Sequence, residues 1–170
     1  EIVLNKNLHL TKGTPVNLYY DHEQDKVCAD PILDGSAAPI YRMKPETTSL
    51  KGCPIIYEYP IDNPVFKGPY KIGYDPYRQD RGSSLSAIYV YKSVVFGQYT
   101  KNIIVAEYVG RPYDGMNKVN ETLLKLSLFY GEAKIYFENE VGNTKDYFEK
   151  ARRLDLLATK PTALFSTGAS

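Results

Sequence analysis

The alternation of apolar and polar positions gives the chain two textures. Over residues 1–69 the apolar runs are short and broken by turn formers. Stretches 16–20, 40–43 and 55–59 are β-prone and lie between Asp-, Gly- and Pro-containing connections such as Asp34-Gly35-Ser36, a pattern that predicts hairpins and irregular loops. From Pro69 the elements lengthen. Residues 70–74 form a β-prone run stopped by Asp75-Pro76, because proline holds the residue before it extended and donates no ladder hydrogen bond. Residues 85–95 and 102–109 are two further runs of β-branched and aromatic residues, so three antiparallel strands in succession are predicted.

The period then changes. Met116, Val119, Leu123, Leu126 and Tyr130 recur at steps of three and four, the stripe of an amphipathic helix lying on the sheet, with Asp114 as its predicted N-cap. Lys134-Ile135-Tyr136-Phe137 reads as a fourth strand. A second helix is expected from near Asn143, with Asp146 three residues on in a capping-box arrangement and with Phe148 and Ala151 turned inward. Residues 154–157 end it, and 161–165 suit the start of a fifth strand. The expected architecture is therefore α/β. A β-rich lead segment over 1–68 precedes a mixed sheet with flanking helices over 69–170, in the order β-β-β-α-β-α and a further strand.

That order has a geometric consequence. In a three-strand meander the third strand runs parallel to the first, and a right-handed helical crossover returns the fourth to the same sheet, in the open slot beside the first. These two strands are then parallel neighbours about 4.8 Å apart, and the acids at their ends are Asp75 and Glu138. Neighbouring carboxylates repel, and a bound cation relieves them. Hard oxygen donors suit Mg²⁺ or Mn²⁺. Two such ions about 3.5–4 Å apart would activate water and stabilise the leaving oxygen of a phosphodiester without a His or Cys nucleophile. Asp80 and Glu140 are reserve metal ligands, while Glu107 and Asp146 read as surface charges. Arg78 and Arg81, in a polar loop with Gly82, Ser83 and Ser84, are the candidate DNA-phosphate contacts. Asp before Pro and Glu before Asn are also ordinary strand endings, so the competing reading is that neither acid is catalytic.

Composition narrows the setting. With 170 residues, 43% hydrophobic and 24% charged, the chain has the make-up of a globular domain, which excludes wholly disordered and coiled-coil readings. Tyrosine is abundant, 16 residues beside no Trp. No apolar run is long enough to span a bilayer and no signal peptide opens the chain, so a soluble, unsecreted protein is expected. Cys28 and Cys53 with His9 and His22 lack zinc-ligand spacing and read as free thiols of a reducing compartment beside unrelated histidines. The net charge of +1 names no partner. Residues 1–69 carry seven Lys or Arg against nine Asp or Glu, and residues 70–170 carry fourteen against eleven, an asymmetry that permits phosphate contacts without demanding them. No nucleotide-binding glycine loop, GxSxG or HExxH motif is present. Asn120-Glu121-Thr122 matches a glycosylation acceptor by chance, on a predicted helix, and Arg152-Arg153 reads as the solvated end of a helix. A start without Met and a small, polar ending over 166–170 suggest a piece of something longer.

Four segments together resemble a known family: Tyr70-Lys71-Ile72-Gly73-Tyr74-Asp75-Pro76-Tyr77-Arg78-Gln79-Asp80, then Ser83-Ser84-Leu85, then Val105-Ala106-Glu107-Tyr108-Val109-Gly110-Arg111-Pro112, then Ile135-Tyr136-Phe137-Glu138-Asn139-Glu140-Val141-Gly142. Over residues 69–160 they are similar to the C-terminal nuclease domain of the terminase large subunit of tailed bacteriophages. The resemblance implies an RNase H-like fold and a metal-dependent endonuclease that cuts concatemeric double-stranded DNA during genome packaging. It makes Asp75 and Glu138 the catalytic metal ligands. It further implies the host cytoplasm as location, no membrane, and the terminase small subunit and portal as partners of the intact protein, this piece being monomeric. The family's third acid would fall beyond Ser170, which puts the activity of this piece in doubt, and its ATPase motor would precede residue 1. Two other readings fit the same residues: a non-catalytic DNA-binding or structural module, and an RNase H-like nuclease of the resolvase or transposase type.

Overall fold

A computed structural model describes residues 13–37, 50–61, 69–77, 84–137 and 143–158. The protein is a mixed α/β fold. Its strands are β1 (Thr14–Asp21), β2 (Lys26–Pro31), β3 (Ile55–Ile56), β4 (Tyr70–Asp75), β5 (Ser86–Phe96), β6 (Tyr99–Gly110) and β7 (Lys134–Phe137). Helix α1 (Met116–Phe129) joins β6 to β7, and α2 (Asn143–Lys150) follows β7. The described strands form a seven-stranded sheet in the order β2-β1-β3-β6-β5-β4-β7. β4, β5 and β6 are an antiparallel meander, and β7 pairs parallel with β4, the slot that the connection rules select. The lead strands β1–β3 continue the same sheet beyond β6.

Local chemistry explains the boundaries. Asp21 ends β1 by accepting the backbone N–H groups of Glu23 (2.9 Å) and Gln24 (3.2 Å), an Asx turn that returns the chain through left-handed Asp25 into β2. β2 was not among the expected strands, because this turn lacks the glycine that usually announces a hairpin. The stretch expected over 55–59 keeps only Ile55–Ile56 as ladder. Val105 is an extra residue of β6, opposite the Val90/Tyr91 step, and its carbonyl accepts the N–H groups of both Tyr57 (2.8 Å) and Glu58 (3.1 Å), which bends the chain out of β3. The stretch 40–43 and the expected strand start at 161–165 lie outside the described residues. Leu157 forms a parallel bridge to Ile135, and Ala158 N donates to the Ile135 carbonyl at 2.8 Å.

Two helix-end expectations are corrected. Gly115, at φ 75°, occupies the N-cap of α1 with no side-chain cap. A turn from Pro112 to Gly115 (3.1 Å) intervenes and leaves Asp114 one position early. Ala151 is exposed rather than inward. Its helix closes in a Schellman motif, Arg153 N to Phe148 O at 2.8 Å and Arg152 N to Glu149 O at 2.9 Å, with Arg152 left-handed at φ 56°. Residues Leu154–Leu156 then form a separate 3₁₀ turn.

Both helices lie on one face of the sheet. Ile72, Ile88, Val90, Ala106 and Ile135 meet Val119, Leu123, Leu126 and Phe148 in one core with no exposed surface, each large side chain contributing roughly 1.5–3 kcal/mol. The tyrosines fasten the periphery. Tyr130 OH donates to the Glu58 carbonyl (2.8 Å) and Tyr108 OH to the Lys51 carbonyl (2.8 Å). Ile61 N donates to Tyr70 OH at 3.0 Å, and the Tyr70 and Tyr130 rings meet edge-on at 5.0 Å. An apolar ring with a polar tip suits such positions better than Phe or Leu. Among the described residues no helix is long and apolar enough to cross a membrane.

Candidate functional site

Asp75 is the last residue of β4, in register with Ala87 of β5. Its neighbours along the strand alternate: Tyr70, Ile72 and Tyr74 are buried under the helices, while Lys71 and Asp75 are exposed. Asp75 therefore stands on the face that the described helices leave uncovered, and no hydrogen bond or ion pair to a described residue holds it. The backbone beside it is held more firmly. Pro76 and Tyr77 are buried, Tyr77 N donates to Ser86 Oγ at 3.2 Å, and the Arg111 guanidinium stacks over the Tyr77 ring at 4.3 Å while donating to the Ser84 carbonyl at 2.9 Å. The last pairs between β4 and β7 are Gly73 with Tyr136 and Tyr74 with Phe137.

Glu138, Arg78, Arg81, Asp80 and Glu140 lie outside the described residues. Asp146 is exposed in the first turn of α2, as a surface charge should be. Glu107 differs from the sequence reading: it is half-buried in β6 and accepts the Tyr57 hydroxyl at 2.9 Å, an anchor between β3 and β6 rather than a solvated charge. Cys28 is partly buried and Cys53 buried, both as free thiols, and burial pushes the Cys53 thiol up. Asn120 is fully buried and its Oδ1 accepts Thr144 Oγ1 at 3.0 Å, so the asparagine of the glycosylation-like triplet is sealed inside. Arg153 pairs with Glu132 (2.6 Å) and Asp155 (3.0 Å) and ties the end of α2 to the turn before β7.

Beneath Asp75, on the helix side, lies a buried polar cluster that composition and periodicity did not announce: Tyr74, Ser86, Asn120 and Thr144. Among the described residues the Tyr74 hydroxyl and Asn120 Nδ2 have no hydrogen-bond partner of ordinary geometry, although the Thr144 and Ser86 hydroxyls stand beside Tyr74. Burial pushes the Tyr74 hydroxyl up to about 12. Each such orphan costs about 1–3 kcal/mol, so this end of β4 is locally costly to fold. Elsewhere, a cavity of about 510 Å³ opens between β1, the 32–37 and 51–54 loops and α1. Glu121 on its wall is desolvated, which raises its pKa, but hydrogen bonds from Lys118 (2.8 Å) and Lys125 (2.5 Å) outweigh this and hold it below the usual range. None of the cavity's lining residues comes from β4 or β7.

Among the described residues no three His, Cys, Asp or Glu side chains cluster as a metal-holding group. No family model matches the sequence, and no curated protein matches it.

Proposed function

We propose that this chain is a divalent-metal-dependent DNA endonuclease with an RNase H-like fold, of the kind that cuts concatemeric double-stranded DNA during phage genome packaging. The observation that carries the reading is the parallel ladder of β4 and β7, closing on Tyr74 opposite Phe137, with Asp75 and Glu138 the next residue of each strand in the sequence. On this reading the two strands, far apart in the chain, each carry an acid to one end of the sheet. Asp75 fits the task chemically: it is exposed, unpartnered among the described residues, and sits at a strand end braced by Pro76, Tyr77 and Arg111. Oxygen donors of this type suit Mg²⁺ or Mn²⁺. An ion pair of this sort, when bound, supplies a deprotonated water and a stabilised leaving oxygen. Asp75 would hold and orient it together with Glu138, while Arg78 and Arg81 neutralise the DNA phosphates. In the intact protein the partners would be duplex DNA, the terminase small subunit and the portal, in the host cytoplasm.

Isothermal calorimetry with Mn²⁺ on wild type, Asp75→Asn and Glu138→Ala tests this directly. The wild type is expected to take up Mn²⁺ and nick supercoiled plasmid, and either substitution to abolish uptake. Equal heats from all three proteins at millimolar Mn²⁺ would sink the proposal and leave a non-catalytic DNA-binding module.

A further inference from the structure

The uncovered face carries a pattern that two acids alone do not require. Three rungs cross it. Lys134, Lys71 and Tyr91 share the first, Tyr136, Gly73 and Tyr89 the second, and Asp75 and Ala87 the third. Tyr89 is 36% exposed and Tyr136 46%, while Tyr91 lies within electrostatic reach of Tyr136. The two rings of the second rung rise from strands on either side of β4, about 10 Å apart at their Cα atoms, with glycine between them.

Glycine inside a strand weakens it, and it normally marks a bulge, a special backbone angle, a neighbouring backbone or a closely approaching ligand. The first three are ruled out at Gly73. The register runs unbroken from Tyr70 to Asp75, the residue is not in the left-handed region, and a Cβ built there meets no atom of a described residue within 4 Å. No ring of a described residue comes within 4 Å of that Cβ position in compensation. What is left is an open notch between two tyrosines, ready to take a flat ring. The rung below it sets two lysines side by side, an unfavourable pairing of like charges that an anion would relieve. Lys134 Nζ donates to the Asp155 carbonyl, and Lys71 is exposed without a partner among the described residues.

We infer that this face is a docking platform for single-stranded nucleic acid: one unpaired base stacks in the Gly73 notch against Tyr89 and Tyr136, and a phosphate next to it lies on Lys71 and Lys134. The strand then runs along β4 toward Asp75, about 13 Å from Lys71. Only this last step rests on the nuclease reading. A sequence-tolerant stack of this kind suits tyrosine, since every base has a π-face.

Fluorescence anisotropy with labelled oligothymidylate, and with the matching duplex, tests the platform in EDTA. The single strand is expected to bind in preference to the duplex. Gly73→Val, Tyr89→Leu and Tyr136→Leu should each weaken binding by about tenfold or more, while Tyr136→Phe stays within about twofold. Lys71→Gln should lower the salt slope by about one. Gly73→Val fills the notch without touching the core, so its melting temperature should be no lower than that of wild type, and loss of binding there reports the notch rather than the fold. No binding by wild type, or unchanged binding by Gly73→Val, overturns the inference. Because EDTA removes divalent ions, the two proposals fail separately. Stacking without Asp75-dependent Mn²⁺ uptake removes the nuclease and keeps the platform, and Mn²⁺ uptake with no stacking does the reverse.

Discussion

On the face that α1 and α2 cover, Ile72, Ile88, Val90 and Ile135 are fully buried. One position along the same strands, the uncovered face carries Lys71, Gly73, Tyr89 and Tyr136. Both sets share one backbone ladder, yet they do different work. The covered set contributes packing energy and fixes the register. The uncovered set contributes little to folding, and its glycine even detracts from it. A surface that a small domain keeps at such a cost is where interaction with other molecules is to be sought, and Asp75 stands on that surface rather than the other.

The largest expected effect comes from pH, acting on the covered side. Burial pushes the hydroxyls of Tyr74, Tyr108 and Tyr130 up, Tyr74 to about 12 and the other two further. A group that holds its proton longer folded than unfolded contributes stability that is complete below the unfolded value near 10 and drains as pH rises toward the folded value. The loss is up to about 1.4 kcal/mol per pH unit for each tyrosine. Urea midpoints between pH 9 and about 12 should therefore fall steeply above 10, and a flat profile would show these hydroxyls to be solvated.

Next in size, Ile72→Ala should cost roughly 2–5 kcal/mol by opening a cavity under α1, whereas Tyr89→Ala, one face over, should cost under about 1 kcal/mol. Equal losses in denaturant titration would erase the distinction between the faces. Smallest, Tyr74→Phe removes a buried hydroxyl that lacks a partner of ordinary geometry among the described residues and should leave stability unchanged or raise it by about 1 kcal/mol. A loss of that size would instead show the hydroxyl to be bonded by Thr144 or Ser86.

How far the chain could be read in advance follows from the range of each signal. The strand at Lys134–Phe137, the helix stripe from Met116 to Tyr130 and the parallel return beside β4 were legible because periodicity and connection handedness are local or topological rules. Asp75 was legible as a strand end because Pro76 follows it. The hairpin partner Lys26–Pro31 was not, since the Asx turn at Asp21 hides its reversal. The Gly73 notch was also out of reach: Tyr89 and Tyr136 lie 47 residues apart, and only pairing both with Gly73 makes them neighbours. The engagement of Glu107 by Tyr57 across 50 residues was hidden for the same reason.

The parallel ladder has a kinetic meaning as well. Hairpin β5–β6 and helix α1 are built from contacts close in the chain, but β7 reaches β4 only after the roughly sixty residues between them have ordered. Closing so long a loop is entropically slow, and pairings of high sequence separation tend to form late. The strand end that bears Asp75 should thus gain its β7 neighbour at the close of folding and lose it among the first, so that amide exchange along Lys134–Phe137 would report the state of the candidate site before any global unfolding is seen.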